Sequence, residues 1–187
     1  MDVKLSWDLV LVCAFFLIFA YNYMLGQRGT VKLIICIYIA TLAADGIAGI
    51  LKEYIFDPSG GVQNIIGEKE TELFSWMRMG IFLFFITMFV VKSGFHIHLG
   101  KHDHWAVRAG IHGGFSALGA ILFLCVLMIY LAGLSFVEGM LYAKRFNIYE
   151  SSVIARTLVD FVRVWFALPA IAFLVTSFFF DDREKEQ

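Results

Sequence analysis

The chain has 187 residues, 60% hydrophobic, 17% aromatic and 17% charged, with twenty phenylalanines, two prolines and a mean hydropathy of +0.77. Soluble domains average about 45–50% apolar and about 25% charged residues, so this composition excludes an ordinary soluble domain and fits helices that face acyl chains. A formal net charge of -1 supplies no basic field for a phosphate backbone, which excludes nucleic acid as a partner.

A helix needs about 20 mostly apolar residues to cross a bilayer. The first such run, 7–25, opens on Trp7 and closes on Tyr21 and Tyr23, aromatic anchors at both ends. No small-residue cleavage site follows it, so it reads as an uncleaved span and not a signal peptide. The second run, 31–51, follows the short link "GQRGT", which forces the two helices into an antiparallel hairpin. A polar stretch then carries "DPSGG" and the acidic "EKETE", and the third run, 73–91, has Arg78 near its start. After a histidine-rich segment comes the fourth, 109–134.

The last part is amphipathic. "SSVIARTLVDFVRVWF" sets Arg156, Asp160 and Arg163 at i, i+4 and i+7, one polar stripe on an otherwise apolar helix, with spacing that permits ion pairs along it. Residues 164–180 carry no charge but include Pro169. The expected arrangement is an amphipathic helix that turns near Pro169 into a fifth span, with a re-entrant or surface-lying helix as the alternative. The fold class that follows is all-α: a single membrane domain, a polytopic transmembrane helical bundle of four to five spans, with an amphipathic helix before the last.

Basic residues in short loops set orientation. The loops after the first and third spans hold Arg28, Lys32, Lys92, Lys101 and Arg108 against Asp103, whereas the loop after the second holds Glu53, Asp57, Glu68, Glu70 and Glu72. This places the N-terminus outside and the histidine loop in the cytoplasm.

Polar groups inside spans are costly and mark candidate sites. Asp45, in "IATLAADGIAGI", reads either as an ion or proton site or a partner for Arg78 or Arg163 across the bundle, or else as a side chain reaching the outer interface near Lys52; the last is preferred. Small residues repeat every four positions at Ala40, Ala44 and Ala48, and again in "AGIHGGFSALGA", where Gly110 pairs with Gly114, Gly113 with Ala117 and Ser116 with Ala120. In lipid such faces let backbones approach closely. The second and fourth spans are therefore expected to carry the central contacts, within the monomer or with a second copy.

The segment "FHIHLGKHDHW" holds His96, His98, His102 and His104, and a flexible loop could converge their imidazoles on zinc, copper or nickel. Spacing of i, i+2 shares no helix face, and only His112 lies inside a span, so haem is poorly served. The preferred reading is a polar hairpin at the headgroups. Cys13, Cys36 and Cys125 fall in apolar runs without CxxC or zinc spacing and read as small buried hydrophobes. No nucleophile, P-loop or metalloprotease motif is present. Neither enzymatic activity nor a cofactor is expected.

A family pattern emerges from the order of these pieces. "SWDLVLVCAFF" leads into a first span and a Gly/Arg link, "LGQRGTVKLIICIYIA"; a polar loop feeds the glycine-rich "DHWAVRAGIHGGFSALGAILFLCVLMIYLAG"; and a serine-led amphipathic helix, "ESSVIARTLVDFVRVWF", follows. In this order the chain resembles the colicin V production (CvpA-type) family of small bacterial inner-membrane proteins, though the family's Arg-Gly pair near the start of span four is absent here. The resemblance implies a multi-pass inner-membrane protein linked to toxin production or export and to envelope homeostasis. The expected role is an accessory or scaffold subunit whose partners are the bilayer, other membrane proteins of an envelope complex and a second copy of itself. The charged stripe would be its docking face. The alternatives are a metal-binding or metal-transport protein using the histidine loop and a cofactor-carrying subunit of a membrane oxidoreductase.

Overall fold

The computed structural model describes residues 7–55, 70–92, 105–132 and 152–181, and every one of its elements is helical. In chain order they are α1 (Trp7–Ile55), α2 (Glu70–Lys92), α3 (Trp105–Leu131), α4 (Val153–Asp160) and α5 (Val162–Asp181). Three stretches are long and apolar enough to cross a membrane: Trp7–Leu51, Phe74–Lys92 and Ala109–Leu131. The bent pair α4–α5 makes a fourth if counted as one span.

A continuous helix of 45 residues would run about 67 Å, more than twice the roughly 30 Å hydrocarbon core. Instead α1 breaks at Gly26, the first residue of the "GQRGT" link, where φ is 78° and ψ 166°. Only glycine takes up that backbone region freely.

The contacts on α3 show how the chain runs on either side of the break. Asn22 meets Ser116, while Leu11 lines one groove with Ile121 and Leu124, so the first limb of α1 is antiparallel to α3. In the second limb Ile34 lies against Gly119 and Thr41 against Tyr130, so that limb runs parallel to α3. The two limbs therefore run in opposite directions. Ser75 meets Tyr130 and Phe82 meets Phe123, setting α2 antiparallel to α3; Leu158 meets Cys125 and Phe173 stacks on Phe115, setting α4–α5 antiparallel as well. One end of the bundle thus gathers Asp8 and Ser152, and the other gathers Gly26 and His112.

α3 is the centre of the bundle. Of its most apolar window 61% is buried, against 22% in α2 and 11% in α1, as suits a hydrophobic helix surrounded by other helices. The peripheral helices show bulky apolar side chains outward, among them Leu17, Met24, Leu42, Trp76 and Val91, which is favourable only against lipid. α2 buries Phe74, Arg78 and Phe82, a single row at four-residue spacing.

One expectation is corrected here. The chain turns at Phe161, where α4 and α5 meet at 65°, and not at Pro169. Phe161 ends α4 by donating its N–H to Thr157, and its carbonyl accepts from Val164 and Trp165 to start α5. Pro169 sits buried inside α5. A proline there leaves the Trp165 carbonyl without its helical donor, and the next carbonyl, Phe166, accepts from the Tyr38 hydroxyl of α1. A neighbouring helix thus supports the turn that proline disturbs, which is how membrane helices tolerate it. The helix of the fourth apolar run is described to Leu131, with Ala132 in a turn, and 133 and 134 lie outside the described residues.

Candidate functional site

Two polar clusters lie inside the apolar bundle. The first is built on the inward face of α1's second limb, where Ala40, Thr41, Ala44, Asp45 and Ala48 are all buried. The alanines leave room for α2 and α3 to approach, and Asp45 faces Arg78 across that approach, Oδ1 to Nε 3.9 Å, with both side chains almost fully buried. Asp45 therefore turns inward to α2 and not outward to the interface near Lys52. Burial is the reason: Asp45 shares its stripe with the packed alanines, and Arg78 occupies the middle of α2's only buried row.

Tyr130 completes this cluster. Its hydroxyl donates to the Thr41 carbonyl at 3.2 Å and stands beside Asp45 and Arg78. Thr41 turns its own hydroxyl back to Ile37 at 2.8 Å, and Ser75 donates to the Tyr130 carbonyl. Helices α1, α2 and α3 are thus joined through four side chains, Asp45, Arg78, Tyr130 and Ser75. In a low-dielectric interior an isolated charge is very costly, and a paired one much less so. The arrangement holds two opposite charges together and links three helices.

The second cluster caps the break at Gly26. A helix end leaves its last carbonyls without partners. Here Thr30 donates to the Asn22 carbonyl at 2.8 Å and lies 3.1 Å from that of Gly26, while His112 Nε2 bonds the Tyr23 carbonyl at 2.9 Å. A carbonyl can only accept, so Nε2 carries the proton. The His112 ring also stacks on Tyr23, centroids 4.6 Å apart. Asn22 Nδ2 donates to the Ser116 carbonyl at 3.1 Å, and the backbone of Gly119 comes so close that an added Cβ would lie 3.0 Å from Asn22 Nδ2 and 3.3 Å from Ile34.

This close approach falls at Gly119, which the small-residue spacing did not single out. At Gly110, Gly113 and Gly114 an added Cβ would meet nothing within 4 Å, and Gly110 and Gly114 are exposed. Ala117 is half-buried, whereas Ser116 and Ala120 are fully buried. The frame of "AGIHGGFSALGA" used inside the molecule is thus Ser116, Gly119 and Ala120, and the Gly110–Gly114 frame points elsewhere. Asn22, Thr30, Thr41, Ser75 and Tyr130 were also missed. Each is a common residue in an apolar run, and only the partner across the bundle gives it a role.

The remaining site candidates lie at the surface or beyond it. Arg156, Asp160 and Arg163 are all exposed, on the outer side of α4 and the start of α5. α4 buries Ala155, Leu158 and Val159, and its N-cap Ser152 accepts from the Ala155 N–H at 3.0 Å. The Ser152 hydroxyl donates to Asp8, which also accepts the Ile154 N–H at 3.2 Å, so the first turn of α4 is held to the start of α1. His96, His98, His102 and His104 lie outside the described residues. Among the described residues no group of three or more His, Cys, Asp and Glu side chains is placed to hold a metal ion. Cys36 and Cys125 are buried and Cys13 is exposed, all as free thiols.

No family model, no curated protein and no solved structure matches this chain.

Proposed function

We propose that the chain is a small multi-pass subunit of the bacterial inner membrane, similar to colicin V production proteins, that serves as an accessory or scaffold component of an envelope complex. On this reading it spans the bilayer five times. The two limbs of α1, α2, α3 and α5 each cross, and α4 lies at the interface on the N-terminal, outer side. The histidine loop is cytoplasmic. Other membrane proteins, and a second copy of the chain through the open Gly110–Gly114 face, are its partners.

One observation carries the reading. Asp45 and Arg78 are turned toward each other inside the bundle, while the one charged stripe on the described helices is turned outward, Arg156 and Asp160 on α4, which Asp8 and Ser152 fasten in place, and Arg163 on the start of α5. A fixed amphipathic helix with an outward charged face presents a docking surface, because charges at the edge of a bilayer give orientation and partner choice.

The test is the size of the assembly released from native membranes in mild detergent. Wild-type chain is expected to migrate in a complex several times its own mass, and Arg156→Glu with Arg163→Glu to release it while its helical content stays unchanged. A double variant that stays in the large complex would overturn the docking role.

A further inference from the structure

Besides its polar clusters, the molecule has an apolar groove of about 360 Å³ between four elements. Leu11 and Phe15 of α1, Ile121 and Leu124 of α3, Leu158 of α4 and Trp165 of α5 form its walls, and it opens at the surface. Its volume lies in the range of about 300–1,000 Å³ that accepts small molecules. We propose that this groove is a binding site for one acyl chain of a bilayer phospholipid.

Three features fit that occupant. The groove runs down the bundle from a polar rim: Asp8, bonded to Ser152 and to the Ile154 N–H, stands one turn above Leu11, and Phe15 lies a further turn deeper. Trp7 and Arg156 are exposed at the same end, suited to the ester and phosphate level of a phospholipid whose tail descends between Leu11 and Leu124. The walls are almost wholly apolar, Thr157 and Trp165 alone carrying polar side-chain atoms among the lining residues, which suits an unsubstituted methylene chain. A single methylene chain is thin enough to enter, and each buried methylene is favourable against such walls in any medium less well packed. The site shares Arg156 with the proposed docking stripe but is read by lipid labelling and not by assembly size, so either reading can fail without the other.

The experiment reconstitutes the full chain in vesicles of phosphatidylethanolamine and phosphatidylglycerol containing a phospholipid with a photoreactive diazirine on one acyl chain. Labelled peptides are mapped by mass spectrometry. In wild type the label is expected to concentrate on peptides carrying Phe15 and Leu124 over the equally apolar exposed face of α5 around Leu174. Thr157→Trp and Val12→Trp, each of which puts an indole into the groove from its rim, are expected to abolish the excess of groove labelling over the Leu174 face. Leu174→Trp is expected to leave it unchanged. Label spread evenly over both faces in wild type would overturn the proposal, whatever the variants do, and so would groove labelling that survives both fillings.

Discussion

Gly119 and Gly114 sit five residues apart on one helix and are distinguished by what faces them. Gly119 lies against Asn22 and Ile34, so a side chain there must push the two limbs of α1 away from α3, whereas Gly114 is exposed with open space above it. Gly119→Leu is expected to destabilise the bundle by about 1–3 kcal/mol through overpacking, and Gly114→Leu to leave its thermal melt in detergent unchanged. Ser152 gives a second test at this scale. It caps α4 and also bonds Asp8, so Ser152→Ala should lose about 1 kcal/mol from the cap alone. Faster amide exchange at the first turn of α4 would register that loss, and unchanged exchange would show the cap to be dispensable. Neither glycine's role was legible in the sequence, because four-residue spacing identifies a face and not the helix that will meet it. The amphipathic helix, by contrast, was legible in the serine-led "ESSVIARTLVDFVRVWF", though which serine caps it was not.

At the scale of elements, hydropathy marked the apolar stretches and the short link after the first, since each depends on local composition. The break falls on Gly26, within that link, and its backbone geometry is one that a Cβ resists. Gly26→Ala is expected to cost about 1–3 kcal/mol of strain and to loosen the Tyr23 carbonyl from His112. A wild-type melt in that variant would show the break to be tolerant. The turn between α4 and α5 was placed wrongly at Pro169, for a physical reason. Proline is the strongest local breaker in water, but inside the bundle its turn is supported by Tyr38, and the bend falls instead at Phe161, between Asp160 and Arg163 of the exposed stripe. Asp45 was misread similarly: its sequence position allows it to reach outward or inward, and only Arg78 in α2's buried row selects between them.

For the whole molecule, the opposed limbs of α1 and the antiparallel α2 put Lys92 and Trp105, which flank the histidine segment in sequence, at the same end of the bundle as Gly26 and opposite Asp8 and Ser152. If the basic loops mark the cytoplasm, Lys101→Cys in a Cys13→Ser background should be inaccessible to an impermeant maleimide in intact cells and labelled after the membrane is opened. Labelling in intact cells would invert the orientation and place α4 on the cytoplasmic face. The histidine loop carries its own outcome: replacing His96, His98, His102 and His104 together by asparagine is expected to leave assembly unchanged, and about one equivalent of bound metal lost with them would favour the metal-binding alternative instead.

The central claim is that the intramembrane charges hold the bundle together and that function resides on its outer face. A double-variant cycle on Asp45 and Arg78, read both as stability and as retention in the native-membrane complex, tests it most directly. Asp45→Leu or Arg78→Leu alone is expected to cost about 3–5 kcal/mol, because each leaves an opposite charge buried without its ion-pair partner. The double Leu variant should recover most of that loss and stay in the complex, since two apolar side chains can replace a buried ion pair. A double variant that regains stability yet loses complex formation or cellular activity would contradict the claim and make Asp45 and Arg78 the working site.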